Sequence, residues 1–572
     1  MRPASEYRPD IDGLRAIAVL AVFVFHLNRR WLPGGFFGVD IFFVISGYLI
    51  TSLILRDCEA GRFRFGRFYQ RRIARLLPAF FAVAVATLVG AALVYSPQDL
   101  ASTGATLSAA AASVANLKFL LQGNYFVLSP DSQPFLHCWS LSVEEQFYLL
   151  FPAAFLLLYR RPRALIGLCA LSFVCYVALT CVRPEWAFYL LPARAWELLV
   201  GSVLAPGACF SLPRRAKLAP QYLGVVLIAI SFVCGRYTVL PVVGTACLLL
   251  SRANFLSPRP LVLIGRMSYS LYLWHWPVFS LVDYEFCWQP SMVRLALKVF
   301  LSFGAAAACF LLVERPGRIL LNHPEKRRMA FPALACSLAI LIPLGIVVRN
   351  ANYLNADTRA IRAGGVRFNP RGKNGSMVLM GDSHGSMYGK MAAEIARERD
   401  LRLAVISVEA GDPLPNTALW ADSLAVVRKQ KPDFLLLVCN WNKLRDDRTR
   451  LTIALSVLKP YARQILLLTQ PPVLPENANR EAIRNGNRPP FREDAAERAA
   501  RVERNRFVKS VQGDNVRVID IEPLFSRDAS EIRFVDGRRN QLYQDRDHLS
   551  AAGAELVKPE LLEAMTGLTA SR

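Results

Sequence analysis

The sequence predicts two kinds of fold in one chain. The first is a polytopic α-helical membrane domain of about eleven spans, and the second an α/β domain with a parallel sheet flanked by helices. Three observations carry this. Of 572 residues, 53% are hydrophobic, too many for an ordinary water-soluble protein. The apolar residues gather in runs between Gly13 and Val348, whereas the chain after Arg349 reads as water-soluble. From Ser376 onward, short apolar strands alternate with helical stretches at the spacing of βα units.

Runs long enough to cross a bilayer lie near residues 13–28, 36–55, 78–95, 140–158, 164–181, 187–205, 221–234, 238–250, 261–282, 294–313 and 331–348. The first carries Arg15 and His26 with no small-residue cleavage site after it, so it is not expected to be a removable signal peptide. The Ala-rich stretch 105–121 imitates a span but is read as an amphipathic helix outside the membrane, because counting it would invert every later basic loop. The stretch 222–250 is expected to break into two helices at Gly235, Arg236 and Pro241.

Net charge is +24, but the cations sit in short loops rather than in a stripe interleaved with aromatics, which argues against nucleic acid as a partner. Arg56, Arg62, Arg64, Arg67, Arg71, Arg72 and Arg75 follow the second span, and alternate later loops are also basic. The opposite loops hold few cations, such as Arg29, Arg30, Lys118, Arg183 and Arg236. The positive-inside rule then makes the N-terminus cytoplasmic, and an odd span count puts residues beyond 349 outside. Most of the twelve cysteines lie in apolar runs as small hydrophobes, and no spacing points to zinc or a disulfide framework.

Ionisable residues inside the membrane mark functional sites. Arg15 and His26, eleven residues apart, project from nearly one helix face about 16 Å apart along the axis. Asp40 follows Gly34-Gly35-Phe36-Phe37-Gly38-Val39; His137 and Glu144-Glu145 sit in one short segment; His275 ends Ser268-Tyr-Ser-Leu-Tyr-Leu-Trp; Arg194 and Glu197 share a helical turn. A channel or transporter could use such a set; a group-transfer site needs a base, a cation for a phosphate-rich donor and a route through the membrane, and this set could supply all three.

These segments, with Tyr7-Arg-Pro-Asp-Ile-Asp-Gly-Leu-Arg15-Ala-Ile-Ala, Arg71-x-x-x-Arg75 and Trp139-Ser-Leu-Ser-Val-Glu-Glu-Gln-Phe-Tyr148, resemble the membrane-bound acyltransferase-3 family over residues 5–350. The resemblance implies acyl transfer, commonly acetylation, of extracytoplasmic carbohydrates. Its implied site residues are Arg15 and His26, Arg71 and Arg75 for the donor, and Glu144 and His275; Asp40 and His137 are further candidates.

In the soluble half, Gly381-Asp382-Ser383-His384 stands at the end of the first expected strand and Asp545-Arg-Asp-His548 near the C-terminus. A serine at a strand end with a distant Asp-x-x-His supplies a nucleophile, a base and a carboxylate to orient it. The pair resembles the SGNH hydrolase family over residues 376–566. That resemblance implies Ser383 as nucleophile, His548 as base, Asp545 as its partner, and Gly411 and Asn440 as oxyanion donors beside the Ser383 N–H. Where the family has Gly-x-Asn-Asp this chain reads Val438-Cys-Asn440-Trp441, with Asn442 as a rival donor.

The expected organisation is a membrane domain over 1–330, a last span with an extracytoplasmic linker over 331–375, and the SGNH-like domain over 376–572. The expected activity is transfer of an acetyl group from cytoplasmic acetyl-CoA, without a metal, to an envelope polysaccharide such as lipopolysaccharide O-antigen. The setting is a bacterial cytoplasmic (inner) membrane, with the C-terminal domain periplasmic. A membrane-anchored carbohydrate esterase and a transporter of lipid-linked sugars are the alternatives.

Overall fold

In the computed structural model the described residues are 7–95, 97–122, 132–207, 218–286, 289–352, 356, 358–408, 411–441, 447–475, 478, 489–528, 530–538 and 540–566. They form two compact units, one mainly of residues up to Arg349 and one mainly of Asn350–Arg572.

The first unit is helical. Its helices are α1 (Pro9–Leu27), α2 (Gly38–Glu59), α3 (Phe65–Val94), α4 (Pro97–Ala111), α5 (Ala115–Gln122), α6 (Cys138–Leu158), α7 (Pro162–Val182) and α8 (Pro184–Tyr189). There follow α9 (Leu191–Gly207), α10 (Leu218–Cys234), α11 (Val239–Ser251), α12 (Arg259–Arg266), α13 (Ser268–Glu285), α14 (Ser291–Cys309), α15 (Arg315–Asn322) and α16 (Ala330–Asn352). Among the described residues six helical segments are long and apolar enough to cross a membrane, and α10 and α11 are shorter apolar helices. The expected break between these two falls at Gly235, whose φ is +63°. The Ala-rich stretch differs from the single helix expected: Ser113, at φ +56°, divides it into α4 and α5. At 15 and 8 residues neither reaches the roughly 20 that a span needs.

α1 carries Arg15 and His26 and is buried among its neighbours. A Cβ on Gly38 would lie 2.2 Å from the Ala18 carbonyl oxygen, so only glycine lets the start of α2 approach α1 this closely. That contact places Val39 and Asp40 beside α1.

The second unit is α/β with a mixed sheet. Six strands run in the order β1 (Val366–Phe368), β3 (Arg402–Ser407), β2 (Ser376–Gly381), β4 (Phe434–Val438), β5 (Gln464–Leu468) and β7 (Val516–Ile519). All neighbours are parallel except β1, which pairs antiparallel with β3. β1 and the helix Thr358–Arg362 lie in the stretch expected to be linker; three residues carry too short an alternation to signal a strand, and pairing with β3 supplies the order. β6 (Phe491–Arg492) and β8 (Glu531–Ile532) form a separate two-stranded antiparallel pair.

The central strands read as unbroken apolar runs because helices cover both faces. Met377, Leu379 and Leu436 face a core with Met391, Val557 and Leu561. Val378, Leu435 and Leu437 face Leu424, Val427 and Leu455 on the other side. β2 lies between β3 and β4, so the chain crosses over in opposite directions from it. The carboxyl end of such a strand is where open α/β sheets bind ligands.

Candidate active sites

In the membrane unit α1, α6 and α13 bring three histidines together. The His26 and His275 rings stack with centroids 5.3 Å apart, and His137 lies edge-on to His275 at 5.7 Å. The hydrogen bonds assign the tautomers. His275 Nδ1–H donates to the Tyr272 carbonyl at 2.6 Å, which leaves Nε2 as an acceptor. His26 Nδ1 sits 3.2 Å from that Nε2 and donates to it. The lone pair of His26 is therefore on its own Nε2, and this nitrogen has no hydrogen-bond partner among the described residues.

Two cavities flank this group. One of about 840 Å³ is lined by His26, His137, Asp40, Arg194 and aromatic side chains. The other, of about 680 Å³, is lined by Arg15, Arg72, Arg75, Ser46, Glu144 and Tyr148 among others. Arg15 and His26 thus share a helix but open into different cavities. Asp40 and Glu197 both pair with Arg194, at 3.1 and 3.0 Å, and all three are almost wholly buried. Ser46 and Tyr148 both donate to Glu144.

The donor pair expected from sequence needs one correction. Arg71 turns away to Asp57, 3.2 Å distant, and does not line the arginine cavity; Arg72 does, lying 3.6 Å over the Tyr148 ring. Arg75 has no hydrogen-bonding partner among the described residues. Guanidinium groups facing a cavity suit phosphate oxygens, which they bind in bidentate fashion. Sequence reasoning also missed Tyr272 and Glu314. Glu314 is buried in a π-helical turn (Phe310–Glu314) and accepts from Ser270 at 2.5 Å; its signal was an acidic residue closing an apolar run.

In the second unit Ser383 lies just past β2. A Cβ on Gly381 would sit 2.1 Å from the Val438 carbonyl oxygen, so β2 and β4 close together here only around glycine. Asp382 caps the turn Ser383–Ser386 by accepting from His384 N at 2.8 Å. Its other oxygen accepts from Asn440 N at 2.8 Å, which ties the end of β4 to the nucleophile turn.

Ser383 Oγ lies 2.9 Å from His548 Nε2, and His548 Nδ1 donates to Asp545 at 2.9 Å. A second carboxylate, Asp547, stands 3.3 Å from the same Nδ1. Burial alone would lower the His548 pKa, but hydrogen bonds and charge from Asp545 and Asp547 outweigh it and raise it to about 10. Burial would likewise raise Asp547, yet its bonds with His384 and His548 hold it well below the usual carboxylate range.

The expected oxyanion donors are otherwise engaged. Gly411 N–H donates back to the Val408 carbonyl at 3.0 Å in a local turn. The Asn440 side-chain amide donates to Asp547 at 3.0 Å and lies 2.9 Å from His384 Nε2. Asn442 lies outside the described residues. His384, Asp547 and His548 bring ligand atoms within 4.8 Å of one another. Each is also held in this hydrogen-bond network.

Comparison with known families finds a match for each unit. The model of an acyltransferase domain, Acyl_transf_3, matches residues 8–314, more than half of the chain. The chain belongs to this acyltransferase-3 family. A model described as an SGNH domain fused to such domains matches residues 352–563. Among curated relatives, the peptidoglycan O-acetyltransferase OatA of Listeria monocytogenes is 34% identical over 55% of this chain and 57% of its own. The O-acetyltransferase OatA of Staphylococcus aureus MRSA252 is 30% identical over 60% and 63%. The chain thus spans about three fifths of the length of these relatives. No solved structure matches.

Proposed function

We propose that this acyltransferase-3 member takes an acetyl group from acetyl-CoA in the cytoplasm and places it on hydroxyls of an envelope polysaccharide. The observation that carries the reading is the pair of cavities, one lined by Arg15, Arg72 and Arg75 and the other by His26. Eleven spans with a cytoplasmic N-terminus fit the alternation of basic loops, and they leave the SGNH unit periplasmic.

Arg15, Arg72 and Arg75 hold the donor phosphates. His26 Nε2 attacks the thioester carbonyl, the C–S bond breaks, and coenzyme A leaves as a thiol once the thiolate is protonated. The acyl group then leaves the ring for an acceptor hydroxyl, whose proton is taken up as the new ester forms. The alternative role for His26 is that of a base toward the hydroxyl, without an acyl-imidazole. Ser383, activated by His548, is a second acceptor, whose acyl ester is passed to the glycan in the same way.

O-antigen is the acceptor expected from sequence, while the name of the Listeria relative points to peptidoglycan. The test measures ester acetate separately in lipopolysaccharide and peptidoglycan from cells with the wild type, His26→Ala or Ser383→Ala. The reading expects one fraction to lose its esters with His26→Ala. Normal esters in both fractions would sink it. Retained esters with Ser383→Ala would confine the SGNH unit to acceptor choice or ester removal.

A further inference from the structure

The two membrane cavities share only two lining residues, Val39 and Tyr272. Arg15, Arg72 and Arg75 belong to one cavity and His26 to the other. Val39 and Tyr272 thus stand between a donor held at Arg15, Arg72 and Arg75 and the cavity that contains His26.

Neither wall is free to retreat. Val39 follows Gly38, whose contact with the Ala18 carbonyl leaves no room for even a methyl group. Tyr272 is pinned at its hydroxyl, which lies 2.6 Å from Ser140 Oγ and donates to the His137 carbonyl at 3.2 Å. The Phe42 ring meets Tyr272 edge-on at 6.2 Å. Its carbonyl accepts from His275, so moving Tyr272 would also disturb the tautomer chain that bares His26. A gap between two anchored apolar walls discriminates by size, and close packing makes a single methylene count.

We propose that Val39 and Tyr272 form a fixed aperture between the donor and His26 cavities that sets acyl length, admitting acetyl and rejecting longer chains. This specificity role rests on the function proposed above. It needs no motion of the helices, because the walls are held by a backbone contact on one side and by hydrogen bonds on the other.

The test uses the full-length protein in lipid nanodiscs, with acetyl-CoA and butyryl-CoA in competition and coenzyme A release and ester formation as readouts. Val39→Ala widens the gap and is expected to raise the butyryl-to-acetyl ratio about tenfold or more. Val39→Ile narrows it and is expected to lower acetyl transfer while butyryl stays excluded. An unchanged ratio in Val39→Ala together with undiminished acetyl transfer in Val39→Ile would overturn the aperture. Equal use of both donors by the wild type would overturn it as well, leaving acyl transfer intact. A wild type that transfers from neither CoA ester would overturn the function itself.

Discussion

In the proposed mechanism His26 acts through one lone pair, and two neighbours decide which nitrogen carries it. The Tyr272 carbonyl fixes His275, and His275 fixes His26. His275→Phe removes the acceptor, and the account expects CoA-dependent ester formation to fall about 10- to 100-fold, as when an orienting hydrogen-bond partner is lost. In the SGNH unit, His548 must be neutral to take the Ser383 proton, and its pKa is raised to about 10. Serine-dependent ester cleavage should therefore climb with pH through the neutral range toward about 10. Asp547→Asn removes one of the two raising carboxylates, so that limb of the profile should move to lower pH; an unmoved limb would contradict the role given to Asp547. Legibility at this scale was uneven. Ser383, Asp545 and His548 were visible because they lie in two short motifs, Gly381-Asp-Ser-His384 and Asp545-x-x-His548. Arg71 and Arg72 were not separable, since adjacent residues differ by about 100° around a helix and only packing decides which one meets the cavity. The engagement of Asn440 by Asp547 joins residues 107 apart in sequence and left no local trace.

Elements were legible where burial imposed a pattern. Apart from Ser376 and Gln464 at their starts, β2, β4 and β5 are apolar because helices cover both faces, so runs such as Phe434–Val438 announce themselves. α10 and α11 separate at Gly235, where a positive φ favours glycine. β1 was missed because it is three residues long and holds its place through β3 alone. The turn carrying Ser383 depends on the absence of a side chain at position 381. Gly381→Ala forces a Cβ toward the Val438 carbonyl and is expected to cost about 1–3 kcal/mol. The SGNH unit of the full chain should then melt at lower temperature, as read by circular dichroism. An unchanged melting temperature would show that β2 and β4 part easily there.

At the scale of the whole molecule, the chain folds as two compact units. Loop charges suggested sidedness before any fold was considered, and the two cavities give the membrane half a purpose beyond anchoring an esterase. Cysteines introduced at Arg64 and at the exposed Arg538 should label from the cytoplasmic and outer faces respectively; labelling of both from one side would break the eleven-span reading. The most direct test of acyl passage uses sealed proteoliposomes with the full chain, acetyl-labelled acetyl-CoA on the arginine-cavity side and an acceptor glycan on the other. The account predicts labelled ester on the glycan across the membrane, abolished by His26→Ala. Label that reaches the glycan with His26→Ala, or only when donor and acceptor share one side, would contradict it.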